Sequence, residues 1–231
     1  MPAPLTIVIP TLNAAEDLPG ALEALIEGLA AGLIRELIVS DGGSTDETSA
    51  IADAAGATVL NGPAGRGGQL HRGAETARGT WILLLHADTQ LSPGWTEAVQ
   101  THIAETLDTA AYFRLRFRSS GVMPALVSGW ANLRSRRFGL PYGDQGLLIS
   151  KAQLIDIGGV PKLPLMEDVA LARALKGRLR MLPAEALTSA AKYERDGWFR
   201  RGRRNLWTLS RYLMGADPVR LAANYDRPSA N

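Results

Sequence analysis

Asp88 comes directly after an unbroken apolar run, Trp81-Ile82-Leu83-Leu84-Leu85, and the pair His86-Ala87. If that run is a strand buried on both faces, the carboxylate emerges at the mouth of a sheet, where an oxygen ligand can hold Mg²⁺ or Mn²⁺ against a diphosphate. His86 lies two residues earlier, on the same side of an extended chain, and is a second candidate ligand for metal or phosphate. Asp41 closes another short strand-like run, residues 36–40, and is followed by Gly42-Gly43-Ser44-Thr45-Asp46. A carboxylate there can accept hydrogen bonds from a base or a ribose, and the glycines behind it let a ligand approach the backbone. Ser44 or Thr45 can cap a following helix, with Asp46 and Glu47 complementing its dipole, but capping leaves the strand-end Asp41 unexplained. Arg66 belongs to a glycine-rich stretch, 61–68, that matches neither the dinucleotide fingerprint nor the phosphate loop with its lysine. One guanidinium on a mobile loop suits diphosphate recognition, and a plain surface loop explains the stretch nearly as well. Glu167 and Asp168 follow a proline-rich turn, 160–164, and open a helix, where an acidic pair ordinarily serves the helix dipole.

An open parallel sheet would bring these residues together, because ligands bind outside the carboxyl ends of its strands. The chain offers that alternation. A strand over 5–10 precedes a helix over 14–31; a strand over 36–40 precedes a helix over 45–55; a third strand spans 57–60, and a helix through Arg78 leads to the central strand 81–85. The first strand ends in Pro10-Thr11-Leu12-Asn13, a third polar strand end beside those of Asp41 and Asp88. Beyond Asp88 the pattern changes, since 111–118 alternates Tyr, Phe, Leu and Phe with polar or basic residues, and the sheet becomes mixed. A helix over 123–137, a glycine-rich turn over 139–146, a strand over 147–150, a helix over 167–175 and an amphipathic helix over 198–214 complete the expected elements.

With 231 residues, 46% hydrophobic and 21% charged, the chain can bury one sizeable core, and one domain is the default. It has no cysteine, which excludes disulfides, thiolate metal sites and a cysteine nucleophile. Met1-Pro2-Ala3-Pro4 runs directly into an apolar segment without the regions of a secretion signal, and no apolar run approaches the roughly 20 residues of a spanning helix. A cytoplasmic chain is expected. Net charge is only +2, but Trp198 to Met214 carries Arg200, Arg201, Arg203, Arg204 and Arg211 with no acid. Its helix can pack as core, form a dimer interface together with the apolar stretch 125–133, or lie on an anionic membrane surface at the inner face of the membrane. Nucleic acid is not an expected partner, for no recognition motif accompanies the arginines.

In this order, Ile7-Val8-Ile9-Pro10-Thr11-Leu12-Asn13, Asp41-Gly42-Gly43-Ser44-Thr45-Asp46, Leu85-His86-Ala87-Asp88-Thr89 and Glu167-Asp168 resemble glycosyltransferase family 2, the inverting enzymes of the GT-A fold. The resemblance covers nearly all of the chain, and Tyr142-Gly143-Asp144-Gln145-Gly146 and Pro164-Leu165-Met166-Glu167-Asp168 look like a bacterial subgroup of that family. It implies a Rossmann-like three-layer α/β sandwich, with 1–110 mainly nucleotide-binding, 111–196 mainly acceptor-binding and catalytic, and 197–231 a basic helix and tail. It further implies a nucleotide-sugar donor, a UDP- or GDP-sugar above all, held by Pro10, Thr11, Asn13, Asp41, Arg66 and Ala87, with Mn²⁺ or Mg²⁺ on Asp88. Asp168 would be the general base toward the acceptor hydroxyl and Glu167 its neighbour; Asp144 and Gln145 would contact acceptor or donor sugar. The family's aspartate-any-aspartate signature is departed from at His86. The rival readings are a nucleotidyltransferase, which would need a glycine-rich loop with a basic residue after the first strand, and a sugar-nucleotide-binding protein without transfer.

Overall fold

Ile7 and Ile9 on one side of the first strand and Val8 on the other are all fully buried, as a strand covered on both faces requires. In the computed structural model, which describes residues 3–106 and 108–225, this strand is β1 (Leu5–Thr11). It pairs in parallel with β2 (Ile34–Asp41) and β4 (Trp81–Leu84), and β2 with β3 (Thr58–Asn61). Helices α1 (Leu18–Ala30), α2 (Thr48–Ala54) and α3 (Arg66–Thr76) make the crossovers. There follow β5 (Thr89–Leu91), α4 (Trp95–Glu105), β6 (Ala110–Phe117), α5 (Val122–Phe138), a 3₁₀ turn (Gly143–Gln145), β7 (Leu147–Ser150), α6 (Lys151–Asp156), α7 (Glu167–Ala174), β8 (Leu179–Thr188), α8 (Ala191–Asp196), α9 (Trp198–Leu213) and α10 (Pro218–Tyr225). Residues 1–2 and the tail 226–231 lie outside the described residues, so the reading of the N-terminus and of the tail is not addressed by the fold.

The strand order is β3-β2-β1-β4-β7-β6-β8-β5. The first four strands are parallel; β7 runs antiparallel to both β4 and β6, β8 parallel to β6, and β5 antiparallel to β8. The sheet is thus parallel in its N-terminal half and mixed beyond β4. Leu5, Ile7, Ile9 and Leu83 pack with Leu18 and Leu25 of α1 and Trp95 and Val99 of α4 on one face. Val8, Ile38, Ile82 and Leu84 pack with Leu70 and Ala74 of α3, Leu154 of α6 and Leu171 of α7 on the other. Two helical layers therefore enclose the sheet. Each large side chain so buried contributes about 1.5–3 kcal/mol of transfer free energy.

Several boundaries differ from expectation. The first helix starts at Leu18 rather than residue 14, because Asp17 and Leu18 donate backbone bonds to Ala14 O and close a turn before it. The second starts at Thr48, since residues 43–46 are spent holding a loop described below. The glycine-rich stretch is not a mobile loop to its end: Arg66 to Gly68 form the first turn of α3. A Cβ on Gly67 would lie 2.4 Å from Leu163 O and 2.5 Å from Pro161 O, so glycine is what lets α3 meet the turn before α7. The ten-residue β8 is absent from the expected elements; Pro183 interrupts its pattern, and Ala and Glu dilute its strand propensity.

Candidate active site

Two groups of residues gather at the carboxyl ends of the parallel strands. In the first, Thr11 Oγ1 and Ser44 Oγ donate to Asp41 Oδ1 at 2.8 and 2.5 Å, while the backbone N–H groups of Gly43 and Ser44 donate to Oδ2 at 2.8 and 2.7 Å. Burial alone would raise the Asp41 pKa, but these bonds outweigh it and hold the carboxyl below its ordinary range. All four lone-pair positions are used and the residue is 2% exposed, so Asp41, expected to reach a nucleotide directly, is here the knot of its own loop. Asn13, exposed and at φ +49°, is stitched to the same loop: its N–H donates to Ser44 Oγ at 2.8 Å, and its Oδ1 accepts from Thr45 N at 2.8 Å. Asp46, not Ser44, serves the start of α2, accepting from Thr48 N and Oγ1.

Two residues that sequence reasoning missed tie these strand ends down. Gln69 of α3 donates to Thr11 O and Ser40 O at 2.7 and 2.8 Å, and Arg72 donates to Asp41 O at 2.9 Å. Only the packing of α3 across β1 and β2 reveals them. Pro10 lies within β1 opposite Ser40, and Ala87 packs against the core cluster around Ile9 and Leu85.

The second group lines a cavity of about 130 Å³. Asp88, Arg66, Asp144, Asp168 and His86 meet there, together with Phe117, Lys192, Tyr193, Arg201 and Asn205 from β6, α8 and α9. Met166 takes the left-handed conformation at φ +66°, a strained choice for a non-glycine residue, and turns the chain so that Glu167 and Asp168 start α7 at the cavity. Glu167 is fully buried, its Oε1 is ion-paired with Arg66 Nε, and its Oε2 is enclosed without a hydrogen-bond partner. Burial raises its pKa, against the lowering influence of Arg66. Asp168 is partly exposed; its Oδ2 accepts from Gly143 N at 2.9 Å and its Oδ1 from Val169 N at 2.8 Å. Arg66 Nη2 stands 3.9 Å from Oδ2. The guanidinium expected beside the donor diphosphate therefore sits against the acids of α7, in the same cavity as Asp88.

His86 lines the same cavity as Asp88, as its spacing implies, and faces the 3₁₀ turn. Its Nε2 is enclosed against Gly143, where a Cβ would come within 2.4 Å, and has no hydrogen-bond partner. Burial, helped by Arg66, pushes its pKa down to about 3, which favours the neutral ring. Asp144 Oδ1 is likewise enclosed; burial first, then Asp168 and Asp88, push its pKa up to about 6 despite Arg134.

Gln145, expected at a sugar, is completely buried and holds the turn instead. Ser135 Oγ approaches its Oε1 at 2.6 Å, Tyr142 N donates to it at 3.3 Å, and Nε2 donates to Phe113 O at 3.1 Å. Gln145→Leu strands these partners and should cost about 3 kcal/mol, at about 1–3 kcal/mol for each unsatisfied buried group. Urea unfolding should show the loss as a lower midpoint with unchanged slope; an unaltered midpoint would contradict the supporting role.

Asp88 has the donor character a divalent cation needs. Its carboxylate is 23% exposed in the cavity, with Thr89 Oγ1 at 3.4 Å and Lys192 Nζ at 4.0 Å beside it. Among the described residues no three His, Asp or Glu side chains converge into a cage of their own. A single carboxylate suits an ion whose remaining ligands are phosphate oxygens and water.

Comparison with known proteins agrees with this placement of the sheet. Over 99 residues the chain is 37% identical to a PGL/p-HBAD biosynthesis glycosyltransferase of Mycobacterium bovis, a match covering 39% of this chain and 38% of that protein. Over 57 residues it is 47% identical to glucosyl-3-phosphoglycerate synthase of Mycolicibacterium smegmatis, covering 25% of this chain and 18% of the relative. These matches span well under two thirds of the relatives' lengths. Among solved structures, S. aureus TarS 1-349 in complex with UDP-GlcNAc superposes with a TM-score of 0.63 at 17% identity, over 80% of this chain and 58% of that one. Glucosyl-3-phosphoglycerate synthase from Mycobacterium tuberculosis, in complex with Mn²⁺, UDP and phosphoglyceric acid, gives 0.56 at 20% identity, over 77% and 67%. At such identities the likeness is one of fold, and it is the GT-A fold. Residues 6–146, more than half of the chain, match the family model Glycosyl transferase family 2, so the chain belongs to that family of glycosyltransferases.

Proposed function

We propose that the chain moves a sugar from a nucleoside-diphosphate donor to an acceptor hydroxyl with inversion, Asp168 taking the acceptor's proton. The observation that carries this reading is the meeting of Asp168, Asp88 and Arg66 in one cavity at the end of β4. In the transfer, the acceptor oxygen forms its bond to the anomeric carbon as the bond to the diphosphate oxygen breaks, and the hydroxyl proton passes to an Asp168 oxygen. Of the carboxylates at the cavity, Asp168 best suits that role. Glu167 is sealed against Arg66 and Asp144 Oδ1 is enclosed, whereas Asp168 is partly exposed and oriented by two backbone N–H groups. Asp88 would hold Mn²⁺ or Mg²⁺, which when bound neutralises charge on the departing diphosphate. Thr11, Asn13 and the loop knotted by Asp41 would receive the nucleoside, with Asp41 acting through the loop it fixes. On this reading 1–110 is mainly donor-binding and 111–196 mainly acceptor-binding and catalytic, within one domain.

UDP is the favoured nucleotide, since two solved structures of like fold hold UDP-GlcNAc and UDP with Mn²⁺. Calorimetric titration with UDP and GDP, with and without Mn²⁺, tests the donor site. Binding should require Mn²⁺ and weaken at least about tenfold in Asp88→Ala, the loss of about 1.4 kcal/mol or more from one charged contact. Failure of both nucleotides to bind in either condition would remove the nucleotide-sugar reading.

A further inference from the structure

Val122, Leu126, Trp130 and Leu133 are large, exposed and spaced at i, i+4, i+8 and i+11 along α5, so they form one stripe, with exposed Arg137 continuing it. Phe199, Leu206 and Leu213 form a second exposed stripe on α9, at i, i+7 and i+14. The stripes adjoin: Trp130 and Leu206 line one groove between the two helices, and that groove also touches Tyr142, Asp144, Tyr193 and Asn205, which line the catalytic cavity. Beyond the α9 stripe stand exposed Arg200, Arg203 and Arg211, with Trp207 and Met214 between them, 64% and 75% exposed. From Trp198 to Leu213 there is no acidic residue.

We infer that α5 and α9 together form a platform that docks on an anionic lipid bilayer and brings the mouth of the catalytic cavity to the membrane surface. An apolar patch rimmed by arginines complements such a surface on both counts: the side chains enter the headgroup boundary and the guanidinium groups meet lipid phosphates. A second copy of this chain fits worse, because a face-to-face dimer would oppose arginine with arginine. Resting on the transfer reading above, the platform assigns the acceptor to a class: an amphiphile whose polar head reaches Asp168 through the groove while its apolar part stays in the bilayer.

Flotation of the full chain with vesicles of phosphatidylcholine alone, and of phosphatidylcholine mixed with phosphatidylglycerol, tests the platform without any turnover. Binding to the mixed vesicles should exceed binding to neutral ones at least about tenfold and decline as salt shortens the Debye length. Arg200→Glu/Arg203→Glu/Arg211→Glu should lower it on the order of a hundredfold or more, and Leu126→Ser/Phe199→Ser should lower it at least about tenfold. Nucleotide binding, unchanged in both variants, would show them folded and keeps failure of the platform separate from failure of the donor site. Equal binding to both vesicles, no binding, self-association abolished by the same variants, or retention on RNA without retention on vesicles would each overturn the inference.

Discussion

Asp168→Asn should lower kcat by about 10²–10⁴-fold while leaving the affinity for the donor nucleotide within about twofold, the range general-base removal commonly costs. The variant keeps the size of the side chain, but an amide has one oxygen where the carboxylate has two. One of the backbone donors, Gly143 N or Val169 N, then faces an NH₂ group, a local cost of about 1–3 kcal/mol if it stays unsatisfied. A drop confined to stability would therefore be small, whereas the drop in kcat should be large. The nucleoside would be received at Thr11, Asn13 and the Asp41 loop, whose hydrogen bonds do not involve Asp168, so nucleotide titration reports whether the fold survives. The candidate replacements are few. Glu167 is sealed and paired, and Asp144 carries a raised pKa near 6 with one oxygen enclosed. Turnover by Asp168→Asn close to that of the parent would transfer the base role to Asp144 and sink the assignment made here.

The strand ends were legible because burial on both faces leaves a recognisable mark. Five apolar residues ending at Leu85 announce a central strand, and whatever polar residue follows must emerge at the edge of the sheet, as Asp88 does. The same logic located Asp41 but not its role. That depends on Thr11, thirty residues away in sequence, and on an α3 that carries Gln69 and Arg72 over the strand ends. Sequence spacing places His86 on the side of Asp88, and both line the cavity; what spacing does not show is Gly143, against which the ring packs, supplied by a turn some fifty-seven residues later. Gln145, a sugar contact by the resemblance, lies on a glycine-flanked turn that α5 closes over, which makes it a brace. The far wall of the cavity, with Lys192, Tyr193 and Asn205, depends on β8, whose internal proline hid it. What periodicity records is which face of an element is buried, and partners brought from another element leave no periodic trace.

Arg66→Ala should destabilise the fold by about 2–3 kcal/mol near neutral pH, with an effect that shrinks in acid. Removing one partner of a fully buried ion pair costs about 3–5 kcal/mol because the other charge is left uncompensated, and the expected loss falls below that range here because the Arg66 side chain is 36% exposed. Glu167 has no exposure at all, and its Oε2 already lacks a partner. Its pKa is raised in the fold above the ordinary 4.5 by burial, with Arg66 holding it down; loss of Arg66 lets it rise further. The sign follows. Below about pH 4.5 the carboxyl is protonated in both folded and unfolded chains, so the variant loses least there. The unfolded chains of parent and variant ionise alike and cancel; as pH rises through the parent's folded pKa its Glu167 ionises and the variant's does not, so the deficit grows until the variant's carboxyl ionises as well and then levels off. Thermal unfolding of parent and variant across pH 4 to 8 should therefore show midpoints that diverge with rising pH, and Arg66→Lys should recover part of the difference by restoring charge without the planar fork. A difference that is the same at every pH would mean that Arg66 contributes by packing its stem against the turn before α7, and that Glu167 takes no part in the coupling.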